Sequence, residues 1–259
     1  MQNEKNLGEM GEKMIEVGFK SDKGLKRINN EDAFFVIPEE NIFMVADGVG
    51  GNNAGEIASR TTISKAVEYV RKNTIRKDFT EDEIKTYFNN CVQKINRDIY
   101  ELSQLQPENN GMATTVSIVY VVGNRSYVLN VGDSRVYLYR DETLSQITED
   151  HTYVNALLRK GLITKEEAQF HEKKNIITKA IGGEAVTSPD IFGVDIKPED
   201  IIILCTDGLH GEIGDETVSK IVKEGGSMQE LCVNLVNKAN QCGGRDNITV
   251  ICLKIKEDC

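Results

Sequence analysis

The sequence predicts an α+β fold, a four-layer α-β-β-α sandwich of two antiparallel sheets flanked by helix pairs. Three observations predict it. Helical segments come in pairs between groups of strands, which disfavours the βαβ alternation of a parallel sheet. Successive strands are joined through tight turns such as Gly123-Asn124 and Gly132-Asp133-Ser134, the connection antiparallel neighbours use. Both strand groups and both helix pairs need a partner surface, and stacked sheets with helices outside give each of them one.

The elements follow in order. Residues 1–13, MQNEKNLGEMGEK, are polar and aperiodic, and read as a flexible leader to one domain over 14–259. Strands are predicted at Met14–Lys20, Ala33–Ile37 and Ile42–Ala46, the last stopping at Asp47-Gly48-Val49-Gly50-Gly51. Apolar residues at helical spacing from Ala54 to Asn73 predict a helix. A second opens at Thr80, an N-cap followed by Glu81, Asp82 and Glu83 at the positive end of the macrodipole. It ends at the polar stretch Gln106–Gly111. Strands are then expected at Thr114–Val122, Ser126–Val131, Arg135–Arg140 and Leu144–Ile147. Two helices follow, Thr152–Gly161, stopped by its glycine, and Thr164–Phe170, capped by its threonine. Strands Asp190–Ile196 and Ile201–Thr206, helices Asp215–Lys223 and Ser227–Asn240, and a last strand Asn247–Ile255 complete the chain.

Composition narrows the function. The 259 residues hold 31 basic and 41 acidic side chains, a net charge of −10. That argues against nucleic-acid binding, which needs a basic face to displace counterions. The six cysteines have no CxxC or zinc-type spacing and read as small buried hydrophobes in a reducing compartment. No run approaches the ~20 apolar residues of a membrane span, and the N-terminus lacks the apolar stretch of a signal peptide. A cytoplasmic protein is expected.

Aspartates carry the chemistry. The run Ile42–Ala46 ends in Asp47-Gly48, the run Ile201–Thr206 ends in Asp207-Gly208, and Ile248–Cys252 is preceded by Asp246-Asn247. Singly, Asp-Gly is a turn signal. If the third strand runs antiparallel to the other two, all three carboxylates emerge at one edge of the core. Gathering them there costs several kcal/mol each unless a cation compensates, by the general penalty for buried charge. With oxygen ligands the ion is a hard one, Mg²⁺ or Mn²⁺. Glycine after Asp47 lets the backbone approach closely, so the Gly48 carbonyl is a further candidate ligand. Glu31 and Asp32 add two carboxylates, and Arg27, just upstream, could grip a phosphate through its planar fork.

These residues together resemble the motif series of the metal-dependent protein phosphatases (PPM, the type 2C serine/threonine phosphatases), in their bacterial single-domain form. The series runs in order through Ser21-Asp22-x-Gly24-x-x-Arg27-x-x-Asn30-Glu31-Asp32, Val45-Ala46-Asp47-Gly48-Val49-Gly50-Gly51 and Met112-Ala113-Thr114-Thr115. It continues through Val131-Gly132-Asp133-Ser134-Arg135, Cys205-Thr206-Asp207-Gly208-Leu209 and Gly244-Arg245-Asp246-Asn247-Ile248-Thr249. The family's two-sheet sandwich agrees with the fold reading. The resemblance implies two core Mn²⁺ or Mg²⁺ ions and a third, weaker one. Asp47 would bridge the core pair, Gly48 would give its carbonyl to the second ion, and Asp207 and Asp246 would complete the first. Glu31 or Asp32 would act mainly through metal-bound water, Asp133 with Asp207 would hold the third ion, and Arg27 would hold the substrate phosphate. Arg27, Asp47 and Asp207 are thus the catalytic candidates. The segment at about 151–180 would form a flap.

The implied reaction is hydrolysis of phosphoserine or phosphothreonine on proteins by a water activated between the metals. The partners would be phosphoproteins and an opposing bacterial kinase, with the enzyme a monomer. Val49 stands where some relatives have a histidine, so the general acid is unassigned. His151 and His171 read as flap anchors and His210 as a surface-loop residue. A small-molecule phosphohydrolase would use the same core and stays open. A catalytically dead binding module would be expected to lack a metal ligand, whereas Asp47, Asp207 and Asp246 are present. No Gly-Lys-Ser/Thr follows the glycines, so a P-loop is excluded.

Overall fold

Strands whose apolar residues alternate present two faces, and here most of the central strands bury both. A computed structural model describes residues 14–50, 54–105, 109 and 111–256. The predicted leader and Gly51 lie outside the described residues. A five-stranded antiparallel sheet is built from β1 (Ile15–Asp22), β7 (Arg135–Arg140), β8 (Thr143–Gln146), β10 (Ile201–Cys205) and β11 (Ile248–Ile255), in the order β1-β11-β10-β7-β8. The second sheet has the order β2-β3-β5-β6-β9. Its strands are β2 (Asp32–Ile37), β3 (Ile42–Val49), β5 (Val116–Val122), β6 (Arg125–Val131) and β9 (Asp190–Asp195), with a short β4 (Ala113–Thr114) on β3.

Three apolar layers make the sandwich. Ile42, Met44 and Ala46 point outward from β3 to helices α1 (Ala54–Lys72) and α2 (Glu81–Leu105), where Ala58, Ile63, Phe88 and Ile95 meet them. Ile201, Ile203 and Cys205 of β10 point the other way, to α6 (Asp215–Lys223) and α7 (Met228–Cys242). Between the sheets, Phe43 and Val45 face Ile202, Leu204, Ile251 and Leu253. The four-layer expectation holds.

Most predicted elements appear within a few residues. Two differences matter at the site. β3 does not stop at Ala46, because Gly48 and Val49 pair with Thr114 and Ala113 of β4, so Asp47 sits inside a strand. Residues after Thr206 do not form a plain turn but one helical turn, α5 (Asp207–His210). Between β8 and β9 lie α3 (Tyr153–Arg159), capped by Thr152, and α4 (Lys165–Phe170), capped by Thr164 as expected. Cys91, Cys205, Cys232 and Cys252 are buried thiols, whereas Cys242 is exposed at the end of α7, against the expectation of burial. Among the described residues no helix is long and apolar enough to cross a membrane.

Candidate metal centre

The inter-sheet layer changes character along its strands. Because side chains alternate, the residues that follow the apolar ones on the same face can be read off by twos. After Phe43 and Val45 comes Asp47; before Val36 and Phe34 comes Asp32. Before Val119 come Ser117 and Thr115, after Leu204 comes Thr206, and before Ile251 comes Thr249. The strands therefore turn polar at one common end, and hydrogen bonds knit that end together. Thr206 and Thr249 donate their hydroxyls to Asp32 Oδ2 at 2.9 and 2.7 Å. The Ser21 and Thr249 hydroxyls pair at 2.8 Å, and Ser117 donates to Asn130 at 2.6 Å.

Each candidate has a defined placement. Asp47 and Asp32 are cross-strand partners on β3 and β2. The Asp47 backbone is clamped from both sides: its N–H donates to Thr115 Oγ1 at 3.0 Å, and its carbonyl accepts from Thr115 N and Thr114 Oγ1. Asp207 opens α5 at the end of β10, and Asp246 comes just before Asn247 and the antiparallel β11, as the common-edge argument requires. Asp133 lies on the β6–β7 turn, and burial with repulsion from Asp207 pushes its carboxyl up to about 7. A Cβ on Gly48 would lie 2.1 Å from the Gly55 carbonyl oxygen, and one on Gly55 would lie 2.6 Å from Glu31 Oε2. These two glycines let α1 start against the end of β3, with the Glu31 carboxylate beside the Gly48 backbone. Asp246 Oδ2 is held by Arg27 at 2.6 Å, with the Arg27 side chain 49% exposed.

The electrostatics of the cluster are those of like charges confined together. Burial is the first cause pushing Asp32, Asp47, Asp133 and Asp207 above the usual carboxylate range, and their mutual repulsion adds to it. Asp32 reaches about 7 despite its two threonine donors. After burial, repulsion from Asp207 is the largest cause pushing the Asp47 carboxyl up. Among the described residues, every buried carboxylate oxygen without a partner lies here: Asp32 Oδ1, Asp133 Oδ1 and Asp207 Oδ1. No three such side chains close into a finished ligand shell, and Arg27 occupies Asp246. Even so, unpaired buried oxygens, an all-oxygen donor set and mutual repulsion fit a hard divalent cation.

Three contributors escaped the sequence reading. Asn247 clamps the first loop to β11, its Oδ1 accepting from Glu31 N at 2.8 Å and its Nδ2 donating to the Lys23 and Asn29 carbonyls at 2.9 Å. Gly55 is the second. His210 is the third; it is not on a surface loop but half-buried at the end of α5, donating to the Asp133 carbonyl at 3.0 Å. Their signal is contact between distant segments, which no local pattern carries. His151 does anchor the segment after β8, accepting from Gly132 N at 3.0 Å through Nδ1 and facing Asp190 Oδ2 at 3.1 Å through Nε2. His171 caps α4. Segment 151–180 contributes Val154, Leu158 and Lys165 to the lining of a groove of about 990 Å³ that Asp133, Asp207 and Asp246 also line.

Comparison with known proteins places the chain in a family. Residues 25–243 match the family model described as protein phosphatase 2C. The chain is 36% identical to the serine/threonine phosphatase stp of Listeria monocytogenes over 236 residues, covering 90% of this chain and 93% of that one. The crystal structure of serine/threonine phosphatase Stp1 from Staphylococcus aureus superposes with a TM-score of 0.89 at 31% identity, covering 98% of this chain and 100% of that one. The catalytic domain of the phosphatase PstP in complex with two manganese ions superposes at 0.81 with 32% identity, covering 94% and 99%. Family model, sequence and fold converge: the chain belongs to the protein phosphatase 2C family of bacterial serine/threonine phosphatases.

Proposed function

We propose that this phosphatase hydrolyses phosphoserine and phosphothreonine on proteins with two divalent ions, Mn²⁺ or Mg²⁺, at the polar end of the inter-sheet layer. Asp47, Asp207, Asp246 and the Gly48 carbonyl would hold them, with Glu31 and Asp32 orienting water around them and Asp133 serving a weaker third ion. When bound, such a pair makes hydroxide available from water at neutral pH and draws charge from a phosphoryl group. The observation that carries the reading is the set of unpaired, buried carboxylate oxygens gathered at one edge.

The chain's own residues supply the rest. The Thr114 and Thr115 clamps hold the Asp47 backbone, so its carboxylate is oriented in advance. Arg27 reaches the same edge with half its side chain exposed, able to take a phosphate oxygen in a charge-assisted hydrogen bond. The exposed Val49 carries no proton to give, so the leaving alkoxide takes its proton from water. The open groove beside segment 151–180 suits a polypeptide better than a small ester. Such an enzyme would oppose a serine/threonine kinase, acting as a cytoplasmic monomer, in keeping with the free thiols of the described cysteines.

The test is a rate comparison on purified protein between a phosphothreonine peptide and a small phosphate ester, with EDTA, Mn²⁺, Mg²⁺ or Zn²⁺. EDTA should abolish turnover on both, Mn²⁺ or Mg²⁺ should restore it, and Zn²⁺ should support it poorly. Full activity without metal would overturn the metal reading. A preference for the small ester would overturn the protein-substrate reading.

A further inference from the structure

Asp133 and Asp207 come from different connections, and one imidazole joins them. Asp207 is the first residue of α5 and His210 the last. The turn between them is closed by Gly211 N donating to the Asp207 carbonyl at 2.7 Å. From its end, His210 Nε2 reaches back to the Asp133 main-chain carbonyl at 3.0 Å. A carbonyl only accepts, so the ring carries its proton on Nε2. The other side of the same turn is held independently, since His151 N donates to the Gly132 carbonyl and Gly132 N donates to His151 Nδ1. The Ser134 hydroxyl pairs with Thr115 at 2.7 Å, the residue that also clamps Asp47. His210 is therefore the strut between the Asp133 turn and the Asp207 turn.

We infer that His210 is a positioning residue that sets the placement of Asp133 against Asp207 and thereby tunes the weaker cation site between them. The inference rests on the proposed role of Asp133. Its geometry separates it from a proton-donor role, because the Nε2 proton is committed to the Asp133 carbonyl. A donor fixed in this way suits a strut. Partners that orient metal ligands in this way typically change metal affinity or activity by roughly 10- to 100-fold when removed.

The test titrates the protein with Mn²⁺ alone, followed by electron paramagnetic resonance of the free ion, so that no turnover is needed. Wild type should show a tight class and a weaker class. Asp133→Asn should lose the weaker class. His210→Phe, which keeps a ring and removes the donor, should weaken that class roughly 10- to 100-fold and leave the tight class in place. His210→Gln, whose amide nitrogen lies near the position of Nε2, should restore it. Should the phenylalanine variant not fold, His210→Asn, too short to reach the carbonyl, replaces it with the same expected result. If Asp133→Asn loses the weaker class while His210→Phe keeps it at wild-type affinity, the strut role is wrong. If Asp133→Asn keeps the weaker class, the assignment of Asp133 fails first and the inference falls with it. Failure of glutamine to restore affinity would also overturn it, since general packing rather than the hydrogen bond would then be at work.

Discussion

The two ends of the inter-sheet layer are made by the same strands and differ in almost everything else. At one end Phe43, Val45, Ile202, Leu204, Ile251 and Leu253 exclude water. At the other, Asp47, Thr206 and Thr249 continue the same faces, joined by Asp32 and Asp207. The apolar end lowers the free energy of the fold by removing apolar area from water. The polar end raises it, because carboxylates are pressed together with three oxygens unpaired. The difference teaches that the fold is held by one end so that the other can keep carboxylates together, as the proposed cation sites require, the usual trade between stability and function.

The largest expected effects come from cutting each end in turn. Leu204 is fully buried, so Leu204→Ala should cost ~2–5 kcal/mol of stability while each folded molecule still binds Mn²⁺. Asp207→Asn should do the reverse. Metal-free stability should hold or rise, because one buried negative charge is gone. Turnover with Mn²⁺ should fall by more than the roughly 10- to 100-fold typical of residues that only support a metal ligand. Urea unfolding in EDTA and calorimetric Mn²⁺ titration, run on both variants, read the contrast. Equal destabilisation by the two variants would erase it.

At the rim of the polar end, Arg27 is divided between Asp246 and solvent. Arg27→Ala should lower kcat/KM on phosphopeptides roughly 10- to 150-fold, mostly through KM, which corresponds to loss of a charge-assisted pair worth ~1.5–3 kcal/mol. Lysine should rescue only in part, since it lacks the planar fork. Phosphate inhibition should weaken in step. Mn²⁺ affinity should not fall, because the substitution frees Asp246; a clear loss of metal would make Arg27 a structural residue instead.

How far each end could be read from the sequence follows from the range of the interactions. The apolar end was legible because alternation is local: Ile42–Ala46 and Ile201–Thr206 announce strands buried on both faces. Asp47, Asp207 and Asp246 were legible because each borders such a run. α5 was not, since Thr206-Asp207-Gly208-Leu209-His210 is too short to show a helical period. Nor was the extension of β3 past Ala46, which depends on pairing with Ala113 and Thr114. Asn247 and His210 act across more than 70 residues of sequence, as do the contacts Asn247–Glu31 and His210–Asp133, and only the folded chain brings those groups together.

The polar end should also confer a pH dependence that the apolar end does not. Asp32 and Asp133 are raised to about 7 from an ordinary 3.8, and Asp47 and Asp207 are raised as well. Between about pH 4 and 7 the folded, metal-free protein binds more protons than the unfolded chain. Stability from these groups is therefore fully present below the unfolded value and is lost as pH rises toward 7. One group contributes at most about 1.4 kcal/mol per pH unit. Ion-paired carboxylates such as Glu212, lowered by Arg245, act in the opposite sense, so the comparison is made as a difference. Urea unfolding in EDTA at pH 5 and pH 7 should give a wild-type loss that is smaller in Asp133→Asn. An identical slope in the variant would mean that Asp133 carries no raised value. Saturating Mn²⁺ should reverse the trend, because the cation selects the ionised carboxylates.

The smallest expected effect sharpens a second contrast, between the core and the segment beside the groove. Two helices begin with the same capping box. Ser227 and Glu230 cap α7, and Thr164 and Glu167 cap α4, each pair exchanging side-chain-to-backbone hydrogen bonds. α7 buries Met228, Leu231, Cys232, Leu235, Val236 and Ala239, whereas α4 buries Ala168 alone. The same substitution should therefore register differently. Ser227→Ala should cost about 1 kcal/mol of global stability, seen as a Tm lower by roughly 2–4 °C for a protein of this size. Thr164→Ala should leave Tm within error and speed amide exchange only around Glu167 and Ala168, because α4 opens locally without the rest of the chain. Metal binding should be unchanged in both. If Thr164→Ala lowers Tm as much as Ser227→Ala does, α4 unfolds with the core, and segment 151–180 is a fixed wall of the groove rather than a flap.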